Sequence, residues 1–229
     1  MESTDRKLLR LHVEAVWNVQ LPALIQNEVE LLPESFSPPW KLCAAKLADS
    51  HVYIWRPDVS IVERAALRSR VNEVMAVPPE IAVPGVSREV ALALRTSPRL
   101  DVETARRIAR PLTTRDRPLI AAFDPEDPEY YFQPEKYPLI GVVVDGRLLS
   151  LALSSRRTRD ACELGIDTLP EARRKGYALA ATILWAHTIL QDGLVPLYSA
   201  FADNTASLRL AAAAGYRAFS HIATFEGTP

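Results

Sequence analysis

Apolar and polar positions alternate over residues 11–19 (LHVEAVWNV), which predicts a half-buried strand, and residues 29–32 predict a second short one. Residues 40–47 and 51–55 flank an Ala-Asp-Ser connection and read as a hairpin. From Ser60 to Ala76 the apolar residues Ile61, Ala65, Leu67, Val71 and Val74 recur near helical spacing, behind a serine suited to cap the helix start. Val77-Pro78-Pro79 ends that helix, Pro84-Gly85 marks a turn, and residues 87–94 favour neither strand nor helix. Asp101 caps a further helix reaching Arg110, stopped by Pro111, and residues 119–123 read as a strand.

The second half is more regular. Residues 139–144 and 147–154 flank Asp145-Gly146, a strong hairpin signal, and residues 161–169 form the next strand. Helix, strand, helix and strand follow at residues 176–191, 196–201, 205–214 and 216–225. The first of these helices carries no Asp, Glu, Lys or Arg between Lys175 and Asp192, whereas a surface helix shows a polar stripe on every turn. It must be covered on more than one side, by the sheet and by the N-terminal half or a second copy of the chain, so a homodimer is a candidate assembly. Residues 1–115 read as an N-terminal α+β region, a candidate second or degenerate copy of the core, and 116–229 as the core itself.

Composition narrows the function. The 229 residues carry 28 acids against 27 bases, a net charge of −1, which provides no field to hold a nucleic-acid backbone or an anionic membrane. No apolar run is long enough to cross a bilayer and the start is polar, so a cytoplasmic location is expected. Cys43 and Cys162 lie in no metal-ligand spacing; they are expected to be reduced packing residues, and no metal is expected. Trp17, Trp40, Trp55 and Trp185 lack a basic stripe and read as core residues. Residues 124–135 (DPEDPEYYFQPE) hold five carboxylates, three prolines and three aromatics without a base, and read as a loop. A cleft lined by such groups would concentrate a cationic amine.

The segment from Leu169 to Ala178 (LPEARRKGYA) places three consecutive cations and a glycine between a strand and the first turn of the long apolar helix. The first amides of a helix lack internal partners and the helix dipole is positive there, so cations at this end are unfavourable unless an anion joins them. Neither the Walker A nor the dinucleotide-binding glycine pattern is present. Arg173-Arg-Lys-Gly-Tyr-Ala178 instead matches Arg/Gln-x-x-Gly-x-Gly/Ala. Together with Pro170, the strand-loop-helix context, Asn204-Thr-Ala-Ser207 and Gly215-Tyr216, it resembles the GNAT (GCN5-related) N-acetyltransferases over residues 137–225.

The resemblance implies an α/β (α+β) fold with a mixed, mostly antiparallel sheet flanked by helices, and acetyl-CoA as cosubstrate. It implies that Ile166 and Thr168 offer backbone groups to the pantetheine arm, on strands that splay apart. Arg173, Arg174, Lys175, Gly176, Tyr177 and Ala178 would hold the pyrophosphate, with Asn204 and Ser207 towards the pantetheine. The implied reaction is acetyl transfer to a primary amine of an unidentified acceptor. The amine must lose a proton, which at neutral pH costs about 4 kcal/mol for an alkylamine. A base is therefore expected: Glu163 on the strand leading to the cradle is the first candidate and Asp167 the second, although Glu163 could equally pair with Arg156, Arg157 or Arg159. Where many relatives carry an acidic tyrosine, seven residues after Asn204, this chain has Ala211, which leaves Tyr216, Tyr198, Ser199 or solvent to serve. The same alanine fits a non-catalytic acyl-CoA sensor, and a transferase of longer acyl groups is a third reading. His187 reads as a core histidine and His221 as a cross-strand packing residue; His12 and His51 have no chemical context in the sequence.

Overall fold

A computed structural model describes residues 2–226. The chain folds into two compact units that are interleaved along the sequence. The first comprises the chain up to Ala93 with Ser199–Leu208 and the segment from Ala218; the second comprises Leu94–Tyr198 and Arg209–Arg217. The division expected at 115/116 is linear, whereas the units exchange segments late in the chain.

The first unit begins with α1 (Thr4–Trp17), capped by the Ser3 hydroxyl, which accepts from the Arg6 amide, and closed by Asn18 in the left-handed region. The strand expected at residues 11–19 is therefore a helix. The alternation there coincides with the stripe Leu9, Leu11, His12, Val13 and Ala15 that α1 buries, and the cap lies upstream of the alternating run. Strands β1 (Glu28–Glu30), β2 (Trp40–Lys46) and β3 (His51–Trp55) follow. β2 and β3 form the expected hairpin, with Cys43 opposite Ile54, and β1 runs parallel to β3. The helix expected behind Ser60 is α2 (Ile61–Ala76), whose cap accepts from the Glu63 amide. Residues 86–94 resolve as a strand, β4 (Val86–Leu94), with Val90 to Ala93 buried. Arg88 ends α2 firmly: its guanidinium donates to the carbonyl oxygens of Val77, Pro78, Pro79 and Ile81. His12, fully buried on α1, pairs with Glu89 at 3.2 Å, a context that its sequence neighbours do not reveal.

The second unit opens with α3 (Val102–Ile108), capped as expected by Asp101, and the short β5 (Arg110–Pro111). Residues 117–123 form a helix, α4 (Arg117–Phe123), where a strand is expected. A five-residue apolar run has no legible period; Pro118 stands in the first turn, the 3-10 turn at Thr114–Asp116, capped by the Thr113–Asp116 box, leads into the helix, and Ile120 anchors it in the core. The acidic segment is partly ordered as 3-10 turns at Pro128–Phe132 and Pro134–Lys136. Strands β6 (Ile140–Val144), β7 (Arg147–Arg157) and β8 (Ala161–Thr168) form an antiparallel meander, with Asp145 and Gly146 both at positive φ in the first turn. Helix α5 (Tyr177–Gln191) then leads to β9 (Val195–Phe201), α6 (Thr205–Ala213) and β10 (Tyr216–Glu226). β10 lies antiparallel to β2, with His221 opposite Lys46. Among the described residues the strands are thus mixed and mostly antiparallel, flanked by six α-helices, the expected fold class.

Every residue of α5 from Ala180 to Ala186 is buried. One side lies on β6, β7 and β8, and α3 supplies the second cover. That element comes from residues 1–115, as the missing polar stripe requires. Trp185 donates its indole N–H to Ser154 Oγ at 3.3 Å, and Ser154 donates to the Tyr137 carbonyl at 2.8 Å, so the indole and the serine hydroxyl under the helix are paired.

Gly215 fixes the entry into β10. Its φ is +95°, and a Cβ there would meet the Thr96 carbonyl oxygen at 2.3 Å. Its own carbonyl accepts from the amides of Arg95 and Thr96 and from the Thr96 hydroxyl. Gly215→Ala is expected to cost about 2–4 kcal/mol through backbone strain and displacement of Thr96. Urea denaturation checks this as a lowered midpoint with an unchanged slope; an unmoved midpoint would show that the turn can shift freely.

Candidate functional site

The sequence-predicted cradle sits where β8 hands over to α5, and its backbone is unusual. Arg174 has φ +63° and Gly176, the residue before the first turn of α5, has φ +82°. No side chain caps α5, and a Cβ added at Gly176 would meet nothing within 4 Å. The helix start is therefore open to solvent, with its first amides turned outwards and the dipole's positive end unscreened. Arg173, Arg174, Lys175 and Gly176 are all exposed, and Tyr177 and Ala178 half-buried. Arg173 is braced by a 3.3 Å bond from its Nε to the Thr168 carbonyl; among the described residues no ion pair is formed by Arg174 or Lys175. Beside them Glu171 pairs with Arg147, and its carboxyl is held below the usual range by a backbone hydrogen bond, then Arg147.

Upstream, β8 pairs in parallel with β9 only at Ala161, Cys162 and Glu163, opposite Val195, Pro196 and Leu197. β8 continues to Thr168, paired on its other side with β7, so the edge from Leu164 onwards has no β9 partner. The Leu169 amide and the Asp167 carbonyl point at β7. Backbone direction alternates along a strand, so Leu164, Ile166 and Thr168 turn theirs to the open edge. The Thr168 amide is taken by Asp167 Oδ1 at 2.7 Å, which leaves Ile166 as the accessible rung. The pairing of β8 with β9 thus ends before the stretch of β8 that carries Ile166 and Thr168.

Where the pairing stops, three groups of the second unit converge. Glu163 is 4% exposed, and Tyr198 and Tyr216 are 2% and 0% exposed. The two phenol rings meet edge to face, with centroids 5.3 Å apart. Burial pushes the Tyr216 phenol well above its ordinary pKa, with the charge of Glu163 and then Tyr198 adding to the rise. Tyr216 is therefore a neutral O–H donor at any physiological pH, and its hydroxyl is buried with no hydrogen-bond partner. Two residues nominated 53 positions apart in sequence are thus both buried, and the charge of Glu163 is felt at the Tyr216 phenol. Asp167, by contrast, is exposed and committed to the Thr168 amide. Ala211 is fully buried.

The acidic, aromatic segment is less available than its sequence suggests. Tyr131 donates to Asp124 at 2.8 Å, Asp127 caps the Pro128–Phe132 turn, and Glu129 pairs with Arg117. Lys136 lies 4.2 Å over the Tyr130 ring and Arg117 4.4 Å over Phe132. Glu129 and the rings of Tyr130 and Phe132 already hold this chain's own cations. Asn204 and Ser207 belong to the first unit, where Asn204 Oδ1 accepts from the Ser207 amide at 3.0 Å and so caps α6. His187 is half-buried and accepts at Nε2 from Arg106, 3.1 Å away; His221 is exposed, its pKa lowered by burial and then by Lys46. Cys43 and Cys162 are buried free thiols, both raised in pKa by burial. Among the described residues, no group of three or more His, Cys, Asp or Glu is placed to hold a metal ion, and no helix is long and apolar enough to cross a membrane.

This geometry has counterparts. Residues 131–224 match the family model described as GNAT acetyltransferase, a span that begins within the aromatic segment and ends in β10. Over that stretch, less than half of the chain, the sequence is similar to GNAT acetyltransferases. Among solved structures, an acetyltransferase of the GNAT family from Colwellia psychrerythraea is similar at 15% identity, with 77% of this chain and 76% of that one covered and a TM-score of 0.52. A GCN5-related N-acetyltransferase-like protein from Streptococcus suis 89/1591 is similar at 17% identity, with 83% and 84% covered and a TM-score of 0.50. At these identities the likeness is one of fold. No curated protein matches the sequence.

The lone Tyr216 hydroxyl yields a stability test. Removing a buried, unpaired hydroxyl relieves a desolvation cost, so Tyr216→Phe should leave stability unchanged or raise it by about 1–3 kcal/mol in thermal or urea unfolding. A loss of stability would reveal a partner for that hydroxyl.

Proposed function

We propose that the chain transfers an acetyl group from acetyl-CoA to a primary amine. The observation that carries this reading is a strand edge without a β9 partner from Leu164 to Thr168, followed along the chain by the uncapped, cation-flanked start of α5. An extended amide-bearing arm can add to such an edge as a further strand does, and a diphosphate suits the open amides beyond it. The residues fit the cosubstrate: Ile166 would take the pantetheine amides, and Gly176, Tyr177 and Ala178, with Arg173, Arg174 and Lys175, would take the phosphates. Bound there, acetyl-CoA supplies an activated acyl thioester.

Glu163 is the proton acceptor of this proposal. Its carboxylate is buried at the point where the strands part, so it reaches the ammonium of the acceptor through water. Deprotonating an alkylamine at neutral pH costs about 4 kcal/mol, the task assigned to it. Tyr216, neutral and with an uncommitted O–H, is the donor nearest in kind to the tyrosine that Ala211 replaces. Even without a dedicated acid, a coenzyme thiol with a pKa near that of cysteine, about 8.5, leaves as a thiolate at a cost of about 2 kcal/mol.

A second reading is favoured by one observation, the fully buried alanine at position 211. It makes the chain an acyl-CoA sensor without turnover. Thiol release from acetyl-CoA in the presence of an amine panel separates the two: the transferase releases thiol above background and the sensor does not.

Two variants test the site. Gly176→Glu sets bulk and negative charge where the phosphates would lie, and calorimetry should register no binding of CoA; retained affinity would place the cofactor elsewhere. Glu163→Gln should lower kcat about 10- to 100-fold with little change in the KM for acetyl-CoA, and wild-type turnover at pH 7 would remove Glu163 from the mechanism.

A further inference from the structure

The cradle contains a carboxylate of its own. Glu171 is the only acid in the segment from Leu169 to Ala178, two residues before the run Arg173-Arg-Lys175 that the proposed function gives to the diphosphate. A carboxylate left free at that point would occupy the cations and repel an incoming phosphate. One of those cations already feels it. The Glu171 carboxyl is held below its ordinary range by a backbone hydrogen bond first, then by Arg147, and last by the charge of Lys175.

The fold brings Arg147 to that carboxylate. β7 and β8 are antiparallel with Ser150 opposite Thr168, and the Leu169 amide continues the ladder onto the Leu149 carbonyl at 3.0 Å. Carried two residues further, the same register sets Arg147, the first residue of β7, beside Glu171. This end of the ladder is fastened on both strands. Ser150 Oγ and Thr168 Oγ1 lie 2.7 Å apart, and the turn that delivers Arg147 is fixed by Asp145 and Gly146 at positive φ. The Arg147 guanidinium donates from Nη2 to Glu171 Oε1 at 3.0 Å. Both side chains are more than half exposed, so the pair adds little to stability. What it changes is the charge that an incoming anion meets.

We infer that Arg147 is a further determinant of cofactor affinity, a positioning residue that restrains and neutralises Glu171 and so leaves Lys175 and the open amides of α5 to the diphosphate. The identity of the ligand rests on the proposed function. Arg147 touches no phosphate in this scheme. Its effect passes through Glu171, so a chain without the Glu171 charge has no need of Arg147.

The test is a double-mutant cycle on the full chain, with the Kd for CoA measured by calorimetry. At about 0.05 M salt Arg147→Gln is expected to raise Kd about threefold to tenfold, and Arg147→Lys, which keeps the charge, by less than about twofold. Glu171→Gln should bind CoA at least as tightly as the wild type, and in that background Arg147→Gln should change Kd by less than about twofold. The loss should fade at about 0.5 M salt, where charges are screened within a few ångströms, and the melting temperatures of all variants should agree within about 2 °C. Wild-type affinity in Arg147→Gln would overturn the inference. So would an equal loss in the Glu171→Gln background, which would put Arg147 on the phosphate itself, or a loss that survives high salt or comes with lowered melting, which would make its role structural. Inorganic pyrophosphate, titrated in parallel, separates this inference from the proposed function. The same cycle with pyrophosphate but no binding of CoA would uphold the role of Arg147 and sink acetyl transfer; CoA binding with a flat cycle would overturn the role of Arg147 alone; binding of neither would overturn both.

Discussion

A parallel strand pair that stops after three residues is the constraint on which the functional architecture rests. β8 and β9 run side by side only to Glu163 and Leu197, and everything beyond follows from that break. The unpaired edge exposes backbone groups that a sheet would otherwise satisfy, and an exposed edge of this kind is tolerated where a ligand completes it. α5 begins after the Pro170–Ala172 turn that follows β8, and its start has no side-chain cap because the capping position is Gly176. Glu163 stands at the fork, buried by the paired part of the sheet and next to the unpaired part.

α5 must then be held rigidly, because it carries the cradle at one end. Its buried middle, from Ala180 to Ala186, is gripped by β6–β8 on one side and α3 on the other, with Trp185 tied to Ser154. A helix so covered cannot tilt without opening its core, and its first turn is positioned by packing instead of by a capping side chain. The left-handed residues Arg174 and Gly176 turn the chain from β8 into that helix while keeping amides outward, a conformation that glycine adopts without strain and arginine does not.

Much of this was legible from residues alone. The cations and glycine at the start of an apolar helix marked a candidate anion cradle, because charge of that sign is unfavourable there without an anion. Ser60 and Asp101 marked helix starts, and Asp145-Gly146 marked the β6–β7 hairpin, because caps and turns are local chemistry. The failures were of two kinds. Residues 11–19 and 119–123 were misread as strands because a short apolar run carries no reliable period, and the deciding caps, Ser3 and the Thr113–Asp116 box, lay upstream of the runs. The rest was non-local. Nothing near His12 foretold Glu89, nothing near Tyr216 foretold the ring of Tyr198, and nothing in the acidic segment showed that Arg117 and Lys136 fold back onto its rings. The interleaving of the two units belongs to the same class, since it depends on where late segments return.

The most direct measurement of the central claim is residue-resolved amide hydrogen exchange with and without acetyl-CoA. Addition to the open edge and seating of the diphosphate require that the amides of Ile166 and of Tyr177 and Ala178 slow together, while the already paired amides of β6 and β7 stay as they were. Protection absent from both places, or confined to one of them, would contradict an account in which the strand edge and the helix start form one binding surface.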